Sequence, residues 1–149
     1  MWILLWACAD NSMRMKDENN ALAERYFLRF SEYRSWSQLL GWEGLLPSTS
    51  PHGITAQIWL NDIALDAVSH EYDTPYGSAI FQEGYWDEEG LETQAISLMV
   101  KQEDFSSERG DWFWAVFGTD GEVREAGDIA LCSSCHQSSS IDYILFTQR

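Results

Sequence analysis

Near its C-terminus the chain reads Leu131-Cys132-Ser133-Ser134-Cys135-His136. Two thiols separated by two residues, with an imidazole directly after them, is the spacing that attaches a c-type haem. Each thiol adds across one of the two vinyl groups on one edge of the porphyrin, and the tether leaves the next side chain below the ring. Cys132 and Cys135 are therefore the expected covalent anchors of a single haem c. His136 is the expected axial iron ligand. Other chemistries use the same pair of thiols. Zinc wants two more ligands at matching spacing, and the remaining Cys8, His52, His70 and carboxylates are unpaired along the sequence. A thiol–disulfide couple is expected beside a βαβ pattern, which the sequence lacks.

The place of the motif limits the sixth coordination position. Only a short tail follows His136, and it holds neither Met nor His. Small electron-transfer cytochromes that carry the motif early and close the iron with a downstream Met are excluded. The upstream candidates are His52, His70, Met13, Met15 and Met99. His52 stands beside Gly53 in a loop and reads as a hydrogen-bonding turn residue; Met99 reads as core. The expectation is an iron with an open or water-filled sixth site, suited to small ligands. Glu83 and Glu125 have the chemistry of a base near such a site but read as surface carboxylates. Arg34, Arg109 and Arg124 are candidate partners for haem propionates.

The elements that must position this motif follow from periodicity. From Lys16, Leu22, Tyr26, Phe30 and Tyr33 recur every three or four residues, which predicts a helix, with Asn11 or Ser12 as a candidate cap. Ser31 to Leu40 repeats the habit through Tyr33, Trp36, Leu39 and Leu40 and stops at Gly41. A Pro47-to-Pro51 loop closes at His52-Gly53. Alternation then takes over. Strands are expected over Ile54 to Leu60, Ser78 to Glu83, Gln94 to Lys101 and Asp111 to Phe117. Asn61 caps a short helix to Val68. Val123 to Leu131 leads into the haem motif, and Tyr143 to Phe146 is a last apolar run. Period-two patterning from 54 to 117 argues against a four-helix bundle. The fold class is α+β: N-terminal helices, then an antiparallel sheet core with the haem site at its C-terminal end.

Length and composition agree with one domain. The chain has 149 residues, 45% of them hydrophobic, with eight Trp, enough for a real core. A formal charge of −15 excludes the basic footprint of non-specific nucleic-acid binding. Acidic runs at Asp87-Glu88-Glu89, Glu103-Asp104 and Glu122 to Glu125 suit a solvated surface or the docking of a basic redox partner. At the start, Met1 to Ala7 is apolar but far too short to span a bilayer. Leu5-Trp6-Ala7-Cys8 resembles a bacterial lipoprotein cleavage box with an atypical Trp6. Residues 1–15 are thus read as a truncated signal and linker with Cys8 as a lipid-anchor candidate, and 16–149 as the haem domain. The alternative is a mis-called start with an incidental cysteine. Haem ligation favours an exported, periplasmic location, and both clues agree.

With these residues in hand, the chain resembles the cytochrome P-460 family, which includes the β-sheet cytochromes c′. The resemblance runs from about residue 30 to 147 in order. It passes through Tyr33-Arg34-x-Trp36, His52-Gly53, Ile58-Trp59-Leu60-Asn61 and Tyr76-Gly77 before a strand ending at Glu83. It continues through Met99-Val100-Lys101, Gly110-Asp111-Trp112-Phe113-Trp114, Asp120-Gly121, the haem motif and Asp142-Tyr143. It implies a mostly antiparallel fold, a homodimer, one covalent haem and export. Family members that oxidise hydroxylamine bond a lysine to the porphyrin edge, and the corresponding position here is Gln82. An amide is a poor nucleophile, so the resemblance points instead to the nitric-oxide-binding type. Lys101 matches a different family lysine and is expected on the sheet surface. The nitric-oxide-binding type presents Phe to its distal face, which makes Phe81, Phe113 and Phe117 candidates beside Gln82. The expected function is an exported mono-haem cytochrome binding small ligands such as nitric oxide. Hydroxylamine oxidation and simple electron transfer are the alternatives.

Overall fold

The computed structural model describes residues 3–139 and 141–145, with side chains described from Asn11 onward. The element order is α1 (Ile3–Arg29), β1 (Leu46–Pro47), β2 (Thr55–Leu60), α2 (Asp62–Ser69), β3 (Ala79–Tyr85), β4 (Thr93–Lys101), β5 (Trp112–Phe117), β6 (Val123–Gly127) and α3 (Ala130–His136). Single 3-10 turns lie at Tyr33–Ser35 and Ser107–Arg109. The six strands form one antiparallel sheet in sequence order, so each strand pairs with its neighbour through a local connection. The architecture is α+β, as the periodicity indicated.

Strand parity divides the sheet into two faces. In register, Trp59 opposes Phe81, Phe81 opposes Leu98, and Leu98 opposes Ala115. These residues, with Val100, Phe113 and Phe117, form a buried cluster with Ala23 and Tyr33, against which Tyr26, Phe27, Phe30 and Trp36 pack. Here Tyr33 stacks on Phe81 with ring centroids 4.0 Å apart, and Phe27 lies 4.6 Å from Phe117. Each such side chain contributes about 1.5–3 kcal/mol by burial. The other parity carries Ile80, Met99, Trp112 and Trp114, which gather Leu60, Ala64, Val68, Ile129 and Ile144 into a second cluster under α2 and α3.

Local chemistry explains the boundaries. Asn61 caps α2, its Oδ1 accepting from Ala64 N at 3.0 Å, as its position before the apolar run indicated. Two expectations are corrected. Helix α1 is continuous from Ile3, so neither Asn11 nor Ser12 is its cap. The second helix expected over 31–40 is reduced to a 3-10 turn. Trp36 is extended (φ −70°, ψ 164°), and Ser37 bridges Leu60, whose N–H donates to the Ser37 carbonyl at 2.9 Å. The chain gives up helical bonds there so that Tyr33 and Trp36 can both reach Phe81. No helix among the described residues is long and apolar enough to cross a membrane.

Candidate functional site

The second face of the sheet leaves a cavity of about 290 Å³ under α3. Its floor is Ile58 of β2, Ile80 and Gln82 of β3, Ser97 and Met99 of β4, and Trp114 and Val116 of β5, all of one parity. Ile129, Cys132, His136, Ile144 and Leu145 close it from the chain's C-terminal part, and Pro51 and His52 from the loop before β2. A smaller adjoining cavity, about 100 Å³, is bounded by Cys135 and again by His52, Gln82 and His136. The three motif residues therefore border two cavities that share lining residues, with the imidazole common to both.

His136 is held firmly. Its Nδ1 is 2.7 Å from the carbonyl of Tyr143. A carbonyl can only accept, so Nδ1 carries the proton and Nε2 keeps its lone pair. Burial lowers the pKa of His136 below its ordinary value, with the Tyr143 bond acting in the opposite sense, so the ring is neutral at physiological pH. The Trp114 ring lies edge-on at 4.8 Å. Burial, with Glu125 adding to it, pushes the Cys132 thiol up to about 11, and both Cys132 and Cys135 are free.

His52 is brought to within 6.2 Å of His136, centroid to centroid and nearly perpendicular (82°). Two glycines permit this. A Cβ at Gly84 would collide with the His52 carbonyl, and one at Gly53 (φ +83°) with the backbone of Tyr85. The loop carrying His52 thus lies directly on β3. Burial first, and then His136, lowers His52 to about 4, so this second imidazole is also neutral.

Several sequence candidates lie elsewhere. Phe81, Phe113 and Phe117 belong to the face packed under α1, so strand parity removes them from the cavity lining. Gln82 does line it. The lining is aliphatic rather than phenylalanine-rich, a correction that follows from the period of two. Glu83 is buried on the far face instead of lying at the surface. It accepts hydrogen bonds from Tyr33 and from Tyr85, the latter at 2.7 Å, and pairs with Arg34. Arg34 is thereby committed away from the cavity. Arg109 pairs with Asp128 at 2.9 Å, whereas Arg124, paired with Asp120 at 3.1 Å, and Glu125 both border the cavity. Lys101 is not on the surface: it forms a nearly buried ion pair with Asp142 at 2.8 Å. Of the other candidate iron ligands, Met99 lines the cavity, His70 bonds the Asp66 carbonyl at 2.8 Å, and Met13 and Met15 are exposed on α1. Cys8 falls within α1, but its side chain lies outside the described residues.

Sequence reasoning missed Trp114, whose indole N–H faces no hydrogen-bond partner although it is buried. An orphaned donor on the wall of a cavity is the expected sign of an acceptor supplied by a bound group. The same cavity offers a neutral imidazole with one free nitrogen and the free thiol of Cys132 at its border, and the free thiol of Cys135 borders the adjoining one. That donor set suits haem. Among the described residues, no three of His, Cys, Asp and Glu gather into a metal-ion site.

The cytochrome P-460 family model matches residues 31–147, most of the chain. This chain belongs to the cytochrome P-460 family. Membership implies a haem cofactor and identifies a haem-binding cytochrome. No curated protein matches the chain. The matched span includes the whole sheet, the His52 loop, α3 and the turn that holds His136, and begins after α1 has ended.

Proposed function

We propose that this cytochrome P-460 family member is an exported mono-haem c-type cytochrome that binds small neutral ligands such as nitric oxide. The observation that carries the reading is His136, neutral, fixed through Nδ1 to the Tyr143 carbonyl, and bordering a cavity that Cys132 and Cys135 flank. The haem, when bound, supplies an iron centre for ligand binding and one-electron exchange. Cys132 and Cys135 would hold it covalently through their thiols, and His136 would ligate its iron through Nε2. The Trp114 indole N–H and Arg124 are available to carboxylates of the ring. Ile58, Ile80, Met99 and Val116 exclude water around the bound group, favouring a diatomic ligand over a polar one. Export follows from the thioether chemistry, with Cys8 as the candidate lipid anchor. A homodimer and a basic redox partner suit the family resemblance and the charge of −15.

Optical spectra of the purified protein test this. A c-type spectrum whose pigment resists acidified acetone is expected, together with ferrous binding of nitric oxide and carbon monoxide. A colourless protein matured in a competent periplasm, or refusal of both gases, would sink the reading.

The position of His52, 6.2 Å from His136, favours a second reading, an electron carrier in which His52 would be a second ligand to the iron. It requires a low-spin six-coordinate resting ferric spectrum. Hydroxylamine oxidation is the less favoured alternative. Gln82 stands where the cross-linking lysine is expected, and Glu125 is the carboxylate left to act as a base. A strongly red-shifted Soret band would restore it.

A further inference from the structure

The carbonyl that holds His136 belongs to an unusual turn. Asp142 and Tyr143 both have positive φ, 36° and 67°, a conformation that L residues keep only where their surroundings fix it. The fixing groups converge on Asp142. Its carboxylate accepts from Lys101 Nζ at 2.9 and 2.8 Å, from the Thr74 N–H at 3.1 Å and from the Thr74 hydroxyl. Its carbonyl accepts from Trp112 Nε1 at 3.0 Å. Lys101 and Asp142 are only 12% and 11% exposed, and Lys101 also lies 5.3 Å over the Trp112 ring. Gly110 leaves the space that the Tyr143 ring occupies. The very next carbonyl after this anchored residue, that of Tyr143, accepts the hydrogen bond from His136 Nδ1–H.

We propose that Lys101 and Asp142 are positioning residues for His136, an inference that rests on the reading of His136 as axial ligand. The ion pair pins the turn, and the turn fixes the tautomer and orientation of the imidazole. A ring that donates Nδ1–H to a fixed carbonyl is the more basic donor at Nε2. When the anchor is lost, that carbonyl moves, the ring becomes a weaker donor, and the oxidised iron is less stabilised. A buried ion pair at the far end of β4 thus sets the electronic character of a group it does not touch.

The test uses the haem-loaded protein with Lys101→Met, Asp142→Asn, Thr74→Val and the conservative Lys101→Arg. The readouts are the midpoint potential and the iron–histidine stretching frequency of the ferrous form. Lys101→Met is expected to raise the potential and lower the stretching frequency. Asp142→Asn and Thr74→Val should shift both in the same direction by less, and Lys101→Arg should restore wild-type values. If Lys101→Met does not fold, the two milder variants decide the question on the same two readouts. Variants that melt earlier while potential and stretch stay at wild-type values would overturn the inference and leave the cytochrome reading intact. A wild-type protein without covalent pigment would remove both.

Discussion

The two faces of the sheet are built from the same strands and reach opposite ends. Under α1, Trp59, Phe81, Phe113 and Phe117 meet the rings of Tyr26, Phe27, Phe30 and Tyr33 and fill the space. Under α3, Ile58, Ile80, Gln82, Ser97 and Val116 stop short of the opposing segments and leave about 290 Å³. One face supplies cohesion and the other supplies room. The difference arises at neighbouring positions: Phe81 and Gln82 are consecutive, yet one is a core residue and the other a wall. A substitution should therefore report either on stability or on the bound group, according to parity alone.

The strongest way to break this division is on the cavity side. Replacing both Cys132 and Cys135 with Ser should abolish acid–acetone-resistant pigment entirely while far-ultraviolet dichroism keeps its helix and sheet signal. Loss of the folded signal would show that the closed face cannot stand without the cavity. On the closed face, Phe81→Ala should cost about 3–5 kcal/mol in chemical denaturation with the Soret position unchanged. A moved Soret band would mean that the two faces communicate. Glu83→Gln should cost about 1–3 kcal/mol, since it weakens the bonds from Tyr33 and Tyr85 and the Arg34 pair. Ligand binding should be unaffected, because Glu83 is not a wall of the cavity.

A pH experiment sharpens the same point. Burial and the neighbouring Glu83 carboxylate raise the Tyr33 phenol far above its usual value of 10.0. The folded protein therefore holds a proton that the unfolded chain releases above that value. Stability from this group is complete below pH 10.0 and falls progressively as pH rises beyond it. Tyr33→Phe should lose stability less steeply than wild type in that alkaline range, as read by denaturation midpoints. An identical slope would mean that the phenol is not held protonated. The smallest expected effect is at His52: His52→Ala should leave the ferric spectrum unchanged if the sixth site is open. Conversion from low to high spin would instead establish His52 as a ligand.

Much of the fold was legible because period-two alternation survives wherever one parity is apolar, as at Ala95 to Val100. Asn61 was readable as a cap because capping is local. The Cys132-to-His136 motif could be singled out because its members are adjacent in sequence. Apart from the start of α1, the failures are of longer range. Tyr33 and Trp36 keep helical spacing but are spent on Phe81, so spacing alone mistook a 3-10 turn for a helix. Both strand faces of β5 are apolar, so nothing in Trp112 to Phe117 said which residues face the cavity. Lys101 reads as a surface residue because Asp142 lies far along the chain. The approach of His52 to His136 had one usable clue, Gly84 interrupting an otherwise apolar strand, which is the mark of a close backbone neighbour.

The same glycine limits how the cavity can change. A methyl group at position 84 would drive into the carbonyl of His52 and force the backbone there away from β3. Adaptation to a larger or smaller guest is thereby confined to floor positions such as Ile58, Ile80, Ser97 and Val116, where side-chain bulk can be exchanged without moving any main chain. The roof of the cavity is set by backbone, and change is left to the side chains of its floor.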